Sequence, residues 1–257
     1  MKKTFLISII TIVLFSFVMI QCTKEKTIES TSGNLELRDG SDCNPQDLYT
    51  DFTECTFHKD TRTISFSNRP QLYSQQSYLF QTCPNLQVEV TFFETICKDS
   101  SGHDVTLISG MTYDMEALLN DCPQLRYDIR YDYYLKGSVV DILDLIDNEI
   151  SLQLEYEIAW EDIEDYHIEC PNESYFIKYI KNTCYKWELV GVLCDIDSDC
   201  FVWAKVDCGS SVCCARSNSY CGLYDDVTGL YGIVKITPTE YQTFEGNCDA
   251  GCTHDCQ

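Results

Sequence analysis

Apolar and polar residues alternate with period two over several stretches of this chain. In "LRYDIRYDYYL" (125–135), Leu125, Tyr127, Ile129, Tyr131, Tyr133 and Leu135 share one parity, while Arg126, Asp128, Arg130 and Asp132 share the other. In "LQLEYEIAW" (152–160), Leu152, Leu154, Tyr156, Ile158 and Trp160 oppose Gln153, Glu155 and Glu157, and "LQVEVTF" (86–92) repeats the pattern. Side chains on a strand point alternately to its two faces, so each stretch predicts a half-buried antiparallel strand. The charged faces of the first two would meet across a hairpin, Arg126 or Arg130 against Glu155 or Glu157.

Between these stretches the spacing becomes helical, and each helical pattern closes on a Cys-Pro step. Leu72, Gln76, Leu79, Phe80 and Cys83 fall on one helical face, as do Met111, Met115, Leu118, Leu119 and Cys122. Ala159, Ile163, Tyr166, His167 and Cys170 follow the same rule less fully. Proline disfavours helical geometry in the residue before it, so Pro84, Pro123 and Pro171 should each stop a helix. This punctuation predicts degenerate strand-strand-helix units over 43–82, 83–121 and 122–169. A fourth unit opens at Cys170-Pro171 with "ESYFIKYI" and continues as a hairpin-like "CYKWELVGVLCDIDSDCFVWAKVDC". The run "YCGLYDDVTGLYGIVKITP" reads as strand, turn and strand. The fold class is therefore α+β, mainly antiparallel β with short helices, in a repeat-containing domain (43–207) and a cysteine-rich C-terminal region (208–257).

The first residues change the setting of this fold. Lys2 and Lys3 precede an apolar run from about Phe5 to Ile20, the layout of an export signal (1–21). Cys22 follows at the place of a lipidated first residue, although Met19 and Gln21 depart from the usual lipobox. Soluble secretion and an uncleaved anchor are the alternatives. Residues 22–42 are polar and read as a tether. Setting Cys22 aside leaves 16 of the 17 cysteines. Outside the cytoplasm they predict a disulfide framework built from Cys43, Cys55, Cys83, Cys97, Cys122, Cys170, Cys184, Cys194, Cys200, Cys208, Cys213, Cys214, Cys221, Cys248, Cys252 and Cys256, of undetermined connectivity.

Charge narrows the partners. The formal charge is −23, and removal of residues 1–21 would take it to −25. So acidic a surface repels nucleic acid and disfavours it as a partner. Calcium is the candidate cofactor, because Asp195, Asp197 and Asp199 in "CDIDSDC" alternate as the hard oxygen ligands of a calcium loop do. The glycine and the later acid of such a loop are replaced by Cys200 and Val206, so a solvated turn competes with this reading. "CDAGCTHDC" offers Cys248, Cys252, Cys256 and His254 at a spacing that fits zinc poorly. Vicinal Cys213-Cys214 could close a redox ring, but more often each such cysteine bonds elsewhere.

Catalytic residues are not singled out. Ser101, His103 and Asp104 lie together in "SSGHDV", which reads as a polar turn, and His167 falls on a predicted apolar helix face. Neither G-x-S-x-G nor H-E-x-x-H occurs. With 41 acidic residues, paired carboxylates for glycan hydrolysis are available without any pair standing out, and Asp162, Glu164 and Asp165 read as a solvated helix face. The 17 tyrosines can fill a β-rich core or serve as contact residues.

The segment "CPNLQVEVTF…GHDVTLISGMTYDMEALLNDC" (83–122), with the export signal, tether and cysteine-rich end, resembles uncharacterised cysteine-rich surface lipoproteins of Bacteroidota-type bacteria. The resemblance implies a surface location and membrane attachment through an N-terminal lipid or anchor, and carries no activity. The expected function is an exported cell-surface or periplasmic binding or adhesion protein without catalysis, its partner an extracellular protein or glycan. A secreted glycan hydrolase using paired carboxylates is the alternative.

Overall fold

The computed structural model describes residues 43–67, 77–171, 173–192, 201–208, 212–225, 230–236 and 239–244, with positions 246, 248 and 252. The export segment, Cys22, the 22–42 tether, Asp195, Asp197, Asp199, Cys194, Cys200, His254 and Cys256 lie outside the described residues.

The fold is α+β and mostly antiparallel. After a short helix α1 (Pro45–Leu48) come β1 (Thr53–Ser65), α2 (Tyr78–Thr82), β2 (Gln87–Lys98) and β3 (Asp104–Tyr113). Three helices follow, α3 (Met115–Asp121), α4 (Pro123–Lys136) and α5 (Val140–Tyr166). The remaining strands are β4 (Tyr175–Asn182), β5 (Tyr185–Val192), β6 (Phe201–Asp207), β7 (Cys213–Asp225), β8 (Leu230–Lys235) and β9 (Glu240–Thr243).

A seven-stranded sheet runs β1-β2-β3-β4-β7-β8, with β9 also paired to β7, and β5-β6 form a separate hairpin. Strands β3 and β4 pair in parallel, Thr106 opposite Ile177, because α3, α4 and α5 intervene between them. Between Thr91 and Phe93 of β2, β3 carries one extra residue, and Gly110 at φ 60° takes the left-handed conformation there.

One face of the sheet packs on α5. Val88, Val90, Phe92, Ile108, Ile177 and Tyr179 join Ile146, Ile150 and Leu154 in the main core. The other face carries Cys97, Val105, Leu107, Ile180, Cys213 and Ala215 against Cys43 and Tyr49.

The 83–121 unit has the expected strand-strand-helix order, and β2, β4, the β5-β6 hairpin and the β7-β8 pair all fall where strands were read. The 122–169 unit does not: "LRYDIRYDYYL" and "LQLEYEIAW" are helical. Their alternation is a short sample of a longer helical pattern. Leu143, Ile146, Ile150, Leu154 and Ile158 are all buried at helical spacing, and Glu155, placed by alternation on the polar face, is fully buried. Arg126 and Arg130 therefore do not face Glu155 and Glu157 across a hairpin.

Helix punctuation explains the change. Pro123 opens α4 as well as following α3, since its missing N–H and fixed φ suit the first helical turn. Gly137 at φ 69° closes it. The α3 helix starts on Asp114, whose side chain accepts from the Glu116 and Ala117 amides at 2.9 and 3.1 Å. His167 is an exposed left-handed cap of α5 and not part of an apolar face.

Among the described residues, six disulfides hold these elements, and each crosses between elements. Cys43–Cys213 ties the segment before α1 to β7, and Cys55–Cys97 ties β1 to β2. Cys83–Cys122 joins two of the Cys-Pro steps, while the third is bonded through Cys170–Cys221. Cys184–Cys248 and Cys208–Cys252 hold the C-terminal residues beside the β5-β6 hairpin. Cys214 is also disulfide-bonded, and with Cys213 bonded to Cys43 the vicinal pair forms no ring. This framework makes the chain an extracytoplasmic protein. No helix among the described residues is long and apolar enough to cross a membrane.

Candidate binding surface

The two long helices turn their polar and aromatic side chains to opposite uses. On α5, Asp144, Asp147, Glu149 and Glu155 reach inward or sideways to other elements. Glu149 accepts the Ser77 hydroxyl at 2.7 Å and the Tyr78 and Leu79 amides at 2.6 Å each, so it satisfies the open N-terminus of α2. Asp144 accepts from the Tyr185 hydroxyl at 2.9 Å and the Trp187 indole at 2.7 Å. Asp147 pairs with Lys205 at 3.0 Å. These two residues seat the β5-β6 hairpin on the helix.

At the centre, Glu155 meets Arg216 of β7. The guanidinium reaches Glu155 Oε1 through Nε at 3.0 Å and through a second nitrogen, and also donates to Ser151 at 2.9 Å and to Asn148. Asn218 donates to Glu155 Oε2 at 2.5 Å and the Tyr220 hydroxyl does so at 3.3 Å. Burial alone would pull the Arg216 pKa down, but the adjacent carboxylate outweighs it and the shift is upward. Glu155, Arg216, Ser151, Asn218 and Tyr220 are all buried between helix and sheet, which makes this a structural clamp.

The α4 helix behaves differently. Leu125 and Ile129, one turn apart, enter the core. A step of two residues turns a helix by about 200°, so tyrosines that would share a strand face with them are carried to the opposite side. Tyr127, Tyr131 and Tyr134 are exposed by 61%, 53% and 61%. The Tyr127 and Tyr131 rings are nearly parallel, 17° apart with centroids at 6.3 Å, and form one aromatic strip along the helix. Tyr133 instead leans on Trp203.

Charged residues line this strip on both sides. Asp128, half-buried, accepts from the Tyr78 hydroxyl at 2.5 Å and from Gln124 at 2.8 Å, and Asp132 pairs with Lys136 at 2.8 Å. Burial first, then the bond to Asp128, pushes the Tyr78 hydroxyl well above its ordinary pKa. On the other side Arg126 donates to Asn120, and the Arg130 guanidinium lies 5.6 Å from the Tyr134 ring centre.

A second cluster gathers carboxylates where β1 and β2 meet the end of α5. Arg62 bonds Asp60 at 2.9 Å and Glu161 at 2.7 Å. Glu94 is raised above the usual carboxylate range, by burial first, with Asp162 and Asp60 adding to it against Arg62. Asp162 is raised by burial and partly restored by a hydrogen bond from Tyr175. Asp162 is therefore half-buried and unlike the solvated acid expected of it, whereas Glu164 and Asp165 are exposed.

The "SSGHDV" segment is the β2-β3 turn, where Asp99 accepts from the Ser101 and His103 amides, at 2.8 and 2.9 Å. Ser101 and His103 are exposed and serve the turn. No family model, curated protein or solved structure matches this chain.

Alternation hid the exposed face of α4. The signal that finds it is helix punctuation: Pro123 at the start, Gly137 at the end, and apolar Leu125 and Ile129 one turn apart, leaving Tyr127, Tyr131 and Tyr134 at i, i+4 and i+7 on the far side.

Proposed function

We propose that this chain is an extracytoplasmic binding or adhesion protein without catalytic activity, and that the α4 tyrosines are its contact surface. The observation that carries the reading is the aromatic strip on the side of α4 turned away from the core. Contiguous exposed apolar surface marks interaction sites, and tyrosine combines a large rigid apolar area with a polar end, which suits contact surfaces. Binding of full-length protein to arrayed oligosaccharides and peptides tests it, using Tyr127→Ser/Tyr131→Ser/Tyr134→Ser. The variant should keep the melting temperature and lose its bound ligands. Ligands retained by the variant would remove α4 from the function.

Attachment through lipidated Cys22 accompanies this reading. Mass analysis of the envelope-derived N-terminus should find acyl chains on Cys22. Calcium at Asp195, Asp197 and Asp199 is carried by their spacing alone, and a melting curve in chelator against millimolar calcium that shows no shift would dismiss it.

A glycan hydrolase is the second reading, favoured by Glu94 and Asp162, two carboxyls raised by a shared half-buried setting. Turnover of polysaccharides that disappears in Glu94→Gln and Asp162→Asn would replace the binding reading with this one.

A further inference from the structure

We infer that the partner of the α4 surface is a cationic polypeptide segment, an inference that rests on the reading of α4 as a contact surface. Three observations converge on it.

The first is the chemistry of the strip. The faces of aromatic rings carry negative potential and attract ammonium and guanidinium groups within about 6 Å. Tyr127 and Tyr131 offer two such faces in succession, nearly parallel, on consecutive turns of one helix.

The second is how this molecule treats its own tyrosines. Arg130 lies over Tyr134 at 5.6 Å, Lys178 over Tyr49 at 4.9 Å, and Lys205 over Tyr185 at 4.0 Å. Cations on tyrosine rings recur on three separate elements. Tyr127 and Tyr131 are themselves more than half exposed.

The third is charge. Against 18 basic residues stand 41 acidic ones, a formal charge of −23. The field of such a surface draws cationic chains toward it and repels polyanions and a second copy of itself. Near the strip, Asp128 and Asp132 run along one side, and Glu116 and Asp121 are exposed on the preceding helix. Asp128 and Asp132 already hold Tyr78, Gln124 and Lys136, and Arg126 and Arg130 occupy the other side, so a partner's cations are drawn by the overall field and seat over the Tyr127 and Tyr131 rings on the flank away from the arginines, with lysine or arginine stems lying along the rings. A neutral oligosaccharide would stack on tyrosine without drawing on this charge.

The experiment titrates full-length protein with oligolysine and oligoarginine peptides, with a neutral oligosaccharide and an oligoglutamate peptide as comparisons, at low and physiological salt. The cationic peptides should bind with a steep salt dependence. Tyr127→Ser/Tyr131→Ser, which leaves the charge unchanged, should weaken them about tenfold, the sum of two ring contacts. Tyr127→Phe/Tyr131→Phe keeps the rings and should bind within about twofold of wild type. Glu54→Gln/Glu89→Gln, at exposed acids on β1 and β2, should also stay within about twofold, because its only effect is on the overall field.

Equal binding of cationic peptides by wild type and the serine variant would overturn the inference, since charge alone would then explain it. Loss in the phenylalanine variant would overturn it as well, by making the hydroxyls the recognition element. Tyrosine-dependent binding of the neutral oligosaccharide, or tyrosine-dependent self-association, would overturn the cationic partner while keeping α4 as a contact surface. No tyrosine-dependent binding of any probe would overturn both readings together.

Discussion

The α4 and α5 helices are neighbours in sequence and opposites in use. The acids of α5 are spent on its own fold: Glu149 on a helix end, Asp144 and Asp147 on a hairpin, Glu155 on a buried arginine. On α4, Tyr127, Tyr131 and Tyr134 are more than half exposed, while Tyr133 leans on Trp203. The comparison teaches that polarity is a poor guide to which residues serve the fold here. Carboxylates of α5 hold it together, while aromatic side chains of α4 stand exposed. Perturbing each helix in turn should separate stability from binding.

The largest effect falls on α5. Arg216→Met strands a carboxylate that has no access to water and should cost about 3–5 kcal/mol in chemical denaturation. A loss under about 1 kcal/mol would mean that Glu155 finds another partner or a proton, and the clamp would not be one. Cys83→Ser with Cys122→Ser opens a link across 39 residues and should cost about 2–4 kcal/mol, read by the same unfolding curves. Asp114→Ala, which removes the α3 cap, should cost about 1 kcal/mol.

The pH dependence tests the carboxylate cluster. Glu94 and Asp162 hold their protons to higher pH in the folded chain than in the unfolded one. The folded state therefore binds more protons across the window from the ordinary carboxylate range up to their raised values. Stability from this pair is present below that window and lost as pH rises through it. Melting temperature followed from about pH 4 to pH 7 should show this decline, and Glu94→Gln/Asp162→Asn should flatten it. An unchanged profile would remove the pair as its source. Asp60 acts in the opposite direction, because its bond from Arg62 lowers its pKa and its contribution is lost only as pH falls below the ordinary range. The smallest stability effect belongs to α4, where Tyr127→Ser/Tyr131→Ser/Tyr134→Ser should stay within about 0.5 kcal/mol of wild type.

The α+β class, the strands β2, β4, β5, β6, β7 and β8, and the cysteine framework were legible in the sequence. Val88, Val90 and Phe92 alternate in a strand buried on one face, and period two reports such a strand directly. The same rule failed over 125–135 and 152–160. A helix can reproduce alternation for a few residues wherever apolar groups occur on both its faces. Leu125 and Ile129 inside and Tyr127 and Tyr131 outside read identically to a strand when hydrophobicity is the only measure. The Glu155–Arg216 contact was out of reach for another reason. It joins residues 61 apart, and no local pattern marks which of 41 acids meets a given arginine. Disulfide partners share this difficulty: Cys83, Cys97, Cys170 and Cys184 each bond outside their own unit, to cysteines that no local pattern marks.

The bond between Cys43 and Cys213 bears on mechanics. Cys213 begins β7, whose neighbours are β4 on one side and β8 and β9 on the other. A pull applied to the chain ahead of Cys43 enters β7 through a covalent link, without first peeling α1 or unzipping β1 from the sheet edge. The load is then shared by backbone hydrogen bonds to three strands, most of them sheared together rather than broken one at a time. Force entering there is met by the sheet and not by a single strand.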